Sequence, residues 1–410
     1  MMYTHKLIQK AQTLYPNAKV DTSKIQLNHS VLEHYNYDGY QVHYNDDDLI
    51  VIASNTERGH FYGLLDIFAG EANPHLTKAK VQERGLHVDL GRKFFSQSWF
   101  FDVIDMMARF KLNTLQIHFS EHLGFRIESK RFPRIVSEEH LSQDAVKAII
   151  KHANDYYIDI IPSFDSPGHL QVVLEAYPEY LMPNTTMGLD ITSNAARDFI
   201  KAIYDEMDTL FETSTSFHMG ADEFIDFGKY DQFPQLEAYA KEHFGPDAKG
   251  FDTFVDYVND IAAYLQSRGK TVRAWNDGLY RLDQKPTVRL NQSIIITYWT
   301  SWNPMMAPVQ TFVDAGHKVV NYMDQLLYFV LGENAGYTYP TEVEIIRDFE
   351  PNRFSNRHES CPGPHQQEAP ALGAMFSIWC DRPDALTSDA VRHKIEAPLK
   401  AFAIKSWGQN

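Results

Sequence analysis

From Arg84 onward, short runs of β-branched and aromatic residues alternate with longer stretches whose apolar residues recur at helical spacing. The strand-like runs are Gly85–Leu90, Thr114–Ser120, Ile158–Asp165, Phe217–Glu223, Val272–Asp277, Ile294–Thr300, Lys318–Met323 and Ala374–Trp379. Helical patterns lie between them at Phe100–Phe110, Ser142–Tyr157, Ala195–Phe211, Phe251–Ser267 and Pro308–Ala315, and Asp389–Ile404 follows the last run. This alternation predicts parallel strands joined by crossover helices. Eight strands in roughly 300 residues predict an α/β protein with a (β/α)8 TIM-type barrel, whose site forms at the C-terminal strand ends. An open doubly wound sheet is the rival, but the G-x-G-x-x-G phosphate fingerprint that would favour it is absent.

The first 80 residues have another texture. His5–Leu14 and Gly59–Phe68 have helical spacing, while Tyr40–Tyr44 and Leu49–Ala53 read as strands joined across Asn45 to Asp48. The expected division is a small α+β domain over 1–80 and a barrel over 81–410. The stretch Asp324–Leu372, rich in Asn, Gly, Pro and His, is expected to be long and irregular, a length that loops usually reach for functional reasons.

Composition narrows the function. The 410 residues, 44% hydrophobic and 22% charged, describe a globular chain with a real core. Lys and Arg number 38 against 54 Asp and Glu, a net charge of −16 with no basic patch, so nucleic acid is excluded as an expected partner. No run of 18 apolar residues occurs and the opening segment has no apolar signal region, so no membrane partner and a cytoplasmic location are expected. Cys361 and Cys380 are too few for a disulfide scaffold or zinc knuckle and are expected to be thiols. Aromatic residues reach 13%, and Trp275, Trp299, Trp302 and Trp379 fall late in the chain, either as core or as platforms for sugar C–H faces.

The strand candidates run into residues that are awkward to bury: Asp89 and Arg92, His118 and Glu121, Asp165 and His169, Asp222 and Glu223, Asn276 and Asp277, Tyr322 and Asp324, Trp379 and Asp381. In a barrel these converge on one pocket. In His218-Met219-Gly220-Ala221-Asp222-Glu223, adjacent carboxylates follow small residues that let a ligand approach the backbone. A bare Asp-Glu pair is usually a solvated strand end or a cap; here the company of the other strand ends favours chemistry. Carboxylates that are neighbours in sequence do not obviously flank a glycosidic bond as ordinary acid and nucleophile do. They suit a substrate that brings its own nucleophile, one residue acting as acid/base and the other orienting the reacting group. The strand-end histidines raise a metal reading, but no H-x-H or H-E-x-x-H pattern supports it. Asp165-Ser166-Pro167-Gly168-His169 reads as a tight strand-exit turn.

Taken in order, RGLHVDLGR (84–92), LNTLQIHFSEHLGFR (112–126), FDSPGH (164–169), HMGADE (218–223), AWND (274–277), TYW (297–299), NYMD (321–324) and the WCD ending at Asp381 resemble glycoside hydrolase family 20, the β-N-acetylhexosaminidases. The resemblance implies a barrel behind a small α/β domain. It also implies an exo-acting, retaining, cofactor-free enzyme that cleaves β-linked GlcNAc or GalNAc from N-acetylhexosamine-terminated oligosaccharides or glycoconjugates. By it, Glu223 is the general acid/base and Asp222 orients the 2-acetamido N–H and stabilises an oxazolinium, while Tyr322 hydrogen-bonds the acetamido oxygen. Arg92, Asp324 and Asp381 read hydroxyls, Trp275, Trp299 and Trp379 wall the sugar, and Asp165 and His169 support the acid/base. Three departures stand out: Ala221 where the family has Gly, a one-methyl change that a strand tolerates; Glu121 where it has Asp, which reworks that substrate-side position; and Ser163 where it has Glu. Release of a disaccharide as by a lacto-N-biosidase, a retired carbohydrate-binding barrel and a metal-dependent hydrolase are the other readings.

Overall fold

The computed structural model describes residues 2–29, 38–45, 49–226, 229–356 and 366–407. Near the N-terminus, β1 (Ile25–His29), β2 (Tyr40–Tyr44) and β3 (Ile50–Ser54) form a sheet in the order β1-β3-β2, with β1 parallel and β2 antiparallel to β3. It packs with α1 (Met2–Leu14) and α2 (Glu57–Ala69) around Leu7, Ala11, Val42, Ile52 and Leu64. β1 was not expected. It is an edge strand that buries only Ile25 fully, so its pairing rests on backbone hydrogen bonds that leave little trace in hydropathy.

The remaining strands are β4 (Glu83–Asp89), β5 (Thr114–His118), the hairpin β6 and β7 (Ser120–Glu121 and Gly124–Phe125), β8 (Asp159–Ser166), β9 (Ser216–Gly220), β10 (Thr271–Trp275), β11 (Ile295–Tyr298), β12 (Val319–Asn321), β13 (Tyr328–Val330), the antiparallel pair β14 and β15 (Arg353–Ser355 and Gln366–Glu368) and β16 (Gly373–Trp379). Parallel pairing runs β4-β5-β8-β9-β10-β11-β12-β16, and β16 pairs back onto β4. That closure makes an eight-stranded barrel and eliminates the open sheet.

All six expected barrel helices are present: α3 (Gln97–Arg109), α4 (Gln143–Asp155), α6 (Asn194–Leu210), α8 (Gly250–Ser267), α9 (Val309–Asp314) and α12 (Ser388–Trp407). Ser96, Ser142 and Ser193 cap α3, α4 and α6, each hydroxyl accepting a first-turn N–H. Two unexpected helices, α5 (Gln171–Ala176) and α7 (Pro234–Phe244), lie outside these patterns.

The expected irregular stretch from Asp324 contains more order than its composition implied. It holds α10 (Asp324–Leu327), β13, α11 (Glu342–Asp348) and the β14–β15 pair. β13 runs parallel to the end of β16, Tyr328 opposite Ser377 and Val330 opposite Trp379, and so lines the barrel mouth without joining the closed ring. Several strands end earlier than their hydrophobic runs. Ala221 to Glu223, Asn276 to Asp277 and Tyr322 to Met323 have left the ladder, and there the backbone turns over the mouth.

The N-terminal unit and the barrel share a buried seam. The Arg84 side chain is fully buried, donates to the Val81 and Gln82 carbonyls at 3.0 Å, and lies 4.5 Å over the Trp407 ring. Lys111 pairs with Asp66 at 2.7 Å, and the Trp407 indole donates to the Lys111 carbonyl. Cys380 is a buried free thiol, and Cys361 lies outside the described residues. Among the described residues no helix is long and apolar enough to cross a membrane.

Candidate active site

The site is assembled from strand exits. Asp89, buried at the end of β4, accepts from the backbone N–H and guanidinium of Arg92, both at 2.9 Å, and from the Cys380 N–H at 3.0 Å. Arg92, fixed at its base, donates to Glu121 at 2.8 Å. Glu121 also accepts from the His122 backbone and ring at 2.7 and 2.8 Å and lies 3.0 Å from His169 Nδ1. Burial would raise the Glu121 carboxyl, but His169 and Arg92 overcome it and hold the group well below the usual carboxylate range.

His169 sits in the left-handed region at φ 57°, at the exit turn from β8. The turn comes this close to the acid pair because Gly168 has no side chain; a Cβ there would lie 2.7 Å from the Asp222 carbonyl oxygen. His169 Nε2 is 3.3 Å from Glu223 and 3.4 Å from Asp222. Burial opposes a charged imidazole, yet Glu121 and Asp222 push its pKa well above the ordinary value, which favours the imidazolium. Arg92, Glu121, His169 and the acid pair thus form a line of alternating charge.

The two acids differ in environment. Glu223 is half-exposed, and the His169 imidazole draws its carboxyl below the usual range. Asp222 is buried, and burial raises it to about 7 against the lowering effect of His169, with Asp277 and Glu223 adding to the rise. Its Oδ1 has no hydrogen-bond partner. Asp277 accepts from the Glu223 backbone N–H at 3.0 Å and the Trp299 indole at 2.9 Å, and burial with the nearby Glu223 charge lifts it to about 6. Asn276 accepts from the Trp299 backbone N–H, so Asn276 and Asp277 hold both ends of that tryptophan.

The acid pair sits on a strained backbone. Gly220, Ala221 and Glu223 have φ of 78°, 71° and 45°. A Cβ at Gly220 would lie 2.5 Å from the Asp165 carboxylate, so only glycine fits there. The expectation that Ala221 is a methyl tolerated by a strand is corrected: the strand has ended, and the residue occupies the left-handed region that disfavours a Cβ. Ala221→Gly is expected to raise the unfolding free energy by roughly 0.5–1 kcal/mol. The check is the denaturant midpoint at unchanged slope; a lowered midpoint contradicts it.

These groups surround a cavity of about 490 Å³ lined by Arg92, Glu121, His169, Asp222, Glu223, Trp275, Trp299, Trp302, Tyr328, Val330, Ala335, Tyr337, Trp379 and Asp381. Nine expected site residues are therefore brought together: Arg92, Glu121, His169, Asp222, Glu223, Trp275, Trp299, Trp379 and Asp381. The Arg92 guanidinium lies 5.4 Å from the Trp379 ring, and the Trp299 and Tyr328 rings are parallel with centroids 6.0 Å apart.

Three expected residues are not on the wall. Tyr322 is fully buried beneath the pocket, packed on Trp275, and donates to Gln116 at 2.5 Å. Asp324 is buried and accepts from Thr300, Ser355 and Tyr337, so its task is to hold Tyr337 at the wall. Asp165 is buried under Gly220, 3.6 Å from His118 Nε2, and burial with the Asp222 charge pushes its carboxyl well above the usual range. Ser163, where the family pattern has Glu, meets His118 Nδ1 at 3.1 Å.

Sequence reasoning assigned no site role to Trp302, and it missed Tyr328, Val330, Ala335 and Tyr337, which sit in the stretch expected to be irregular. The available signal was the β-prone Tyr-Phe-Val triplet. Two trios bring carboxylate and imidazole atoms within 4.8 Å of one another, Glu121 with His122 and His169, and His118 with Glu121 and Asp165. Glu121 belongs to both, and Arg92, His122 and His169 already engage its oxygens, so an ion would have to displace them.

A family model described as the glycosyl hydrolase family 20 catalytic domain matches residues 82–409. The chain is 28% identical over 386 residues to a lacto-N-biosidase of Bifidobacterium bifidum, covering 91% of this chain and 33% of the relative. It is 27% identical over 309 residues to β-hexosaminidase subunit A2 of Dictyostelium discoideum, covering 68% of this chain and 54% of that protein. The chain thus spans only a third to about half the length of these curated relatives. Among solved structures, a β-N-acetylhexosaminidase from Bacteroides fragilis superposes with a TM-score of 0.74 at 23% identity, covering 94% of this chain and 80% of that one, a likeness of fold.

Proposed function

The chain belongs to glycosyl hydrolase family 20, and from that premise we propose that its pocket removes terminal β-linked GlcNAc or GalNAc from oligosaccharides and glycoconjugates as an exo-acting β-N-acetylhexosaminidase. The observation that carries the reading is the buried, unpartnered Asp222 Oδ1 beside a half-exposed Glu223 in an aromatic-walled cavity. A buried acceptor without a donor is costly unless a ligand supplies one. The 2-acetamido N–H is such a donor.

The chemistry follows from these positions. With its N–H held by Asp222, the acetamido group turns its oxygen toward the anomeric carbon. The new C–O bond forms as the glycosidic bond breaks, and Glu223, whose carboxyl is drawn low in the open site and rises as the bound sugar shuts out water, gives its proton to the departing oxygen. Asp222 offsets the charge of the oxazolinium in a site with little water. Glu223, now a carboxylate, takes a proton from the water that attacks the anomeric carbon; that attack breaks the oxazolinium C–O bond and restores the acetamido group, and the two successive inversions retain the configuration. The hydrogen bond to the acetamido oxygen, assigned to Tyr322 by resemblance, falls in this reading to Tyr328. Arg92 and Asp381 face hydroxyls from one side, and Trp275, Trp299 and Trp379 pack the ring. The division into an accessory domain over 1–80 and a catalytic barrel over 81–410 belongs to the same proposal.

His169 has two tasks in this scheme. It stores positive charge next to Glu223, and Glu121 keeps its ring oriented. Because its charge lowers both acids, His169→Gln raises both. Asp222 must be ionised to accept the acetamido N–H, so the acid limb of kcat/KM, set near pH 7 in the parent, is expected to move to higher pH. A limb that stays in place or moves to lower pH contradicts the assignment.

The test of the function is release of N-acetylhexosamine from an aryl β-GlcNAc or β-GalNAc by the wild-type protein and its loss in Glu223→Gln; no release, or release equal in the two, rejects it. A second reading is favoured by the similarity to a lacto-N-biosidase across 91% of the chain. A tetrasaccharide ending in Galβ1-3GlcNAc separates the two: free disaccharide supports that reading, and an untouched tetrasaccharide together with a cleaved GlcNAc terminus supports the first.

A further inference from the structure

The barrel has a second opening, at the N-terminal ends of its strands and away from the carboxylate pair. A cavity of about 260 Å³ there is lined by early strand residues, among them Thr114, Ser216 and Arg273, and by Arg58 from α2 of the N-terminal unit. One wall is an ion pair across the barrel. Glu83 on β4 and Arg273 on β10, strands on opposite sides of the eight-stranded ring, meet through two bonds of 2.7 Å, and Ser216 accepts from the same guanidinium at 3.3 Å. We propose that this opening binds a small oxyanion of the phosphate or sulfate kind between Arg58, Arg273 and Lys318, and that the anion ties the N-terminal unit to the barrel. The proposal does not depend on the hexosaminidase reading.

Three observations carry it. Cations outnumber carboxylates on the cavity wall, Arg58, Arg273 and Lys318 against Glu83 and Asp159, in a chain whose net charge is −16. Both Glu83 oxygens are taken by Arg273, and among the described residues Lys318 has no ion-pair partner. The buried Nε–H groups of Arg58 and Arg273 have no acceptor. A buried donor in that state is costly unless a ligand completes it, and the guanidinium fork suits the oxygens of a phosphate-like anion. The volume lies below the span of roughly 300–1,000 Å³ usual for larger ligands, and none of the described lining residues is aromatic, so the cavity suits a small anion and not a saccharide. Asp159 opposes the anion. It is 64% exposed and holds Arg58 at 2.8 Å, so it competes for that guanidinium and can turn to solvent when displaced. The other carboxylate at Arg58, Asp38, is shared with Arg84 and lies 3.5 Å from each.

The experiment follows the Tm of the full chain as sodium phosphate or sodium sulfate replaces sodium chloride at constant ionic strength, which holds general screening fixed. Wild type, Lys318→Gln and Asp159→Asn are compared; both side chains are exposed, so each variant should fold. The oxyanion is expected to raise the Tm in a saturable way. The apparent Kd from that curve is expected to weaken about 5-fold in Lys318→Gln and to tighten about 3-fold in Asp159→Asn, opposite effects set by the sign of the charge removed. A response to either oxyanion with these opposite shifts supports the site. Equal Tm values in oxyanion and chloride overturn it. So does a saturable rise that neither variant alters, or that both shift in one direction, because the anion then binds elsewhere.

Discussion

On the proposed reading, Glu223→Gln is expected to lower kcat on a natural N-acetylhexosaminide by about 10²–10⁴-fold, the span of a lost general acid/base. Its signature is dependence on the leaving group. A sugar alkoxide cannot depart without the proton, whereas an activated aryl oxide can, so the loss of the bond-breaking step on a nitrophenyl glycoside is smaller. The fold should be unaffected, because the side chain is half-exposed and is tied to its surroundings through His169 at 3.3 Å. Single-turnover rates on the two substrates make the check. Equal losses on both would mean that Glu223 positions the substrate and does not supply a proton.

Asp222→Asn is expected to cost about 10²–10³ in kcat, the range for removing one group aimed at developing charge. The amide keeps the shape but loses the charge that offsets the oxazolinium. Two pH effects follow from its pKa of about 7. The acid limb of kcat/KM near that pH should disappear in the variant, because the carboxylate that accepts the acetamido N–H is gone. Stability should respond in the opposite sense to activity. A carboxyl raised above its ordinary 3.8 favours the folded state when protonated, and this contribution is lost as the pH rises from about 4 through about 7. Asp277, raised to about 6, behaves alike. The Asn variant has no such loss at position 222, so its Tm relative to wild type should increase between pH 5 and pH 8. A constant difference across that interval would place the titration elsewhere.

Both predictions concern residues that the order of amino acids alone makes legible. Asp222 and Glu223 follow a hydrophobic run with small residues before them, and Arg92, Glu121, His169 and Trp379 follow their own runs in the same way. Each barrel strand ends in, or runs within a few residues into, a polar or aromatic residue because the site is built from those ends, so the periodicity that identifies the strands also marks the site. Less legible was where the ladder stops. Ala221 reads as the continuation of a strand, yet it has φ 71° because the chain must turn Asp222 and Glu223 over the mouth.

The sequence by itself determined the alternation that closes a barrel, the small unit before it, and the acids, arginine and tryptophans that converge on one pocket. Only the tertiary structure decided which tyrosine faces that pocket. Tyr322 leaves β12 pointing under Trp275 to Gln116, while Tyr328 returns on β13 beside β16 and reaches the wall. It also decided that Asp324 serves Tyr337, Ser355 and Thr300, and that Asp165 lies beneath Gly220. The reason is physical. Strand periodicity is local and survives in the order of residues, but the direction of a side chain past the strand end depends on which distant segment supplies its hydrogen bond, and that partner exists only once the barrel has closed.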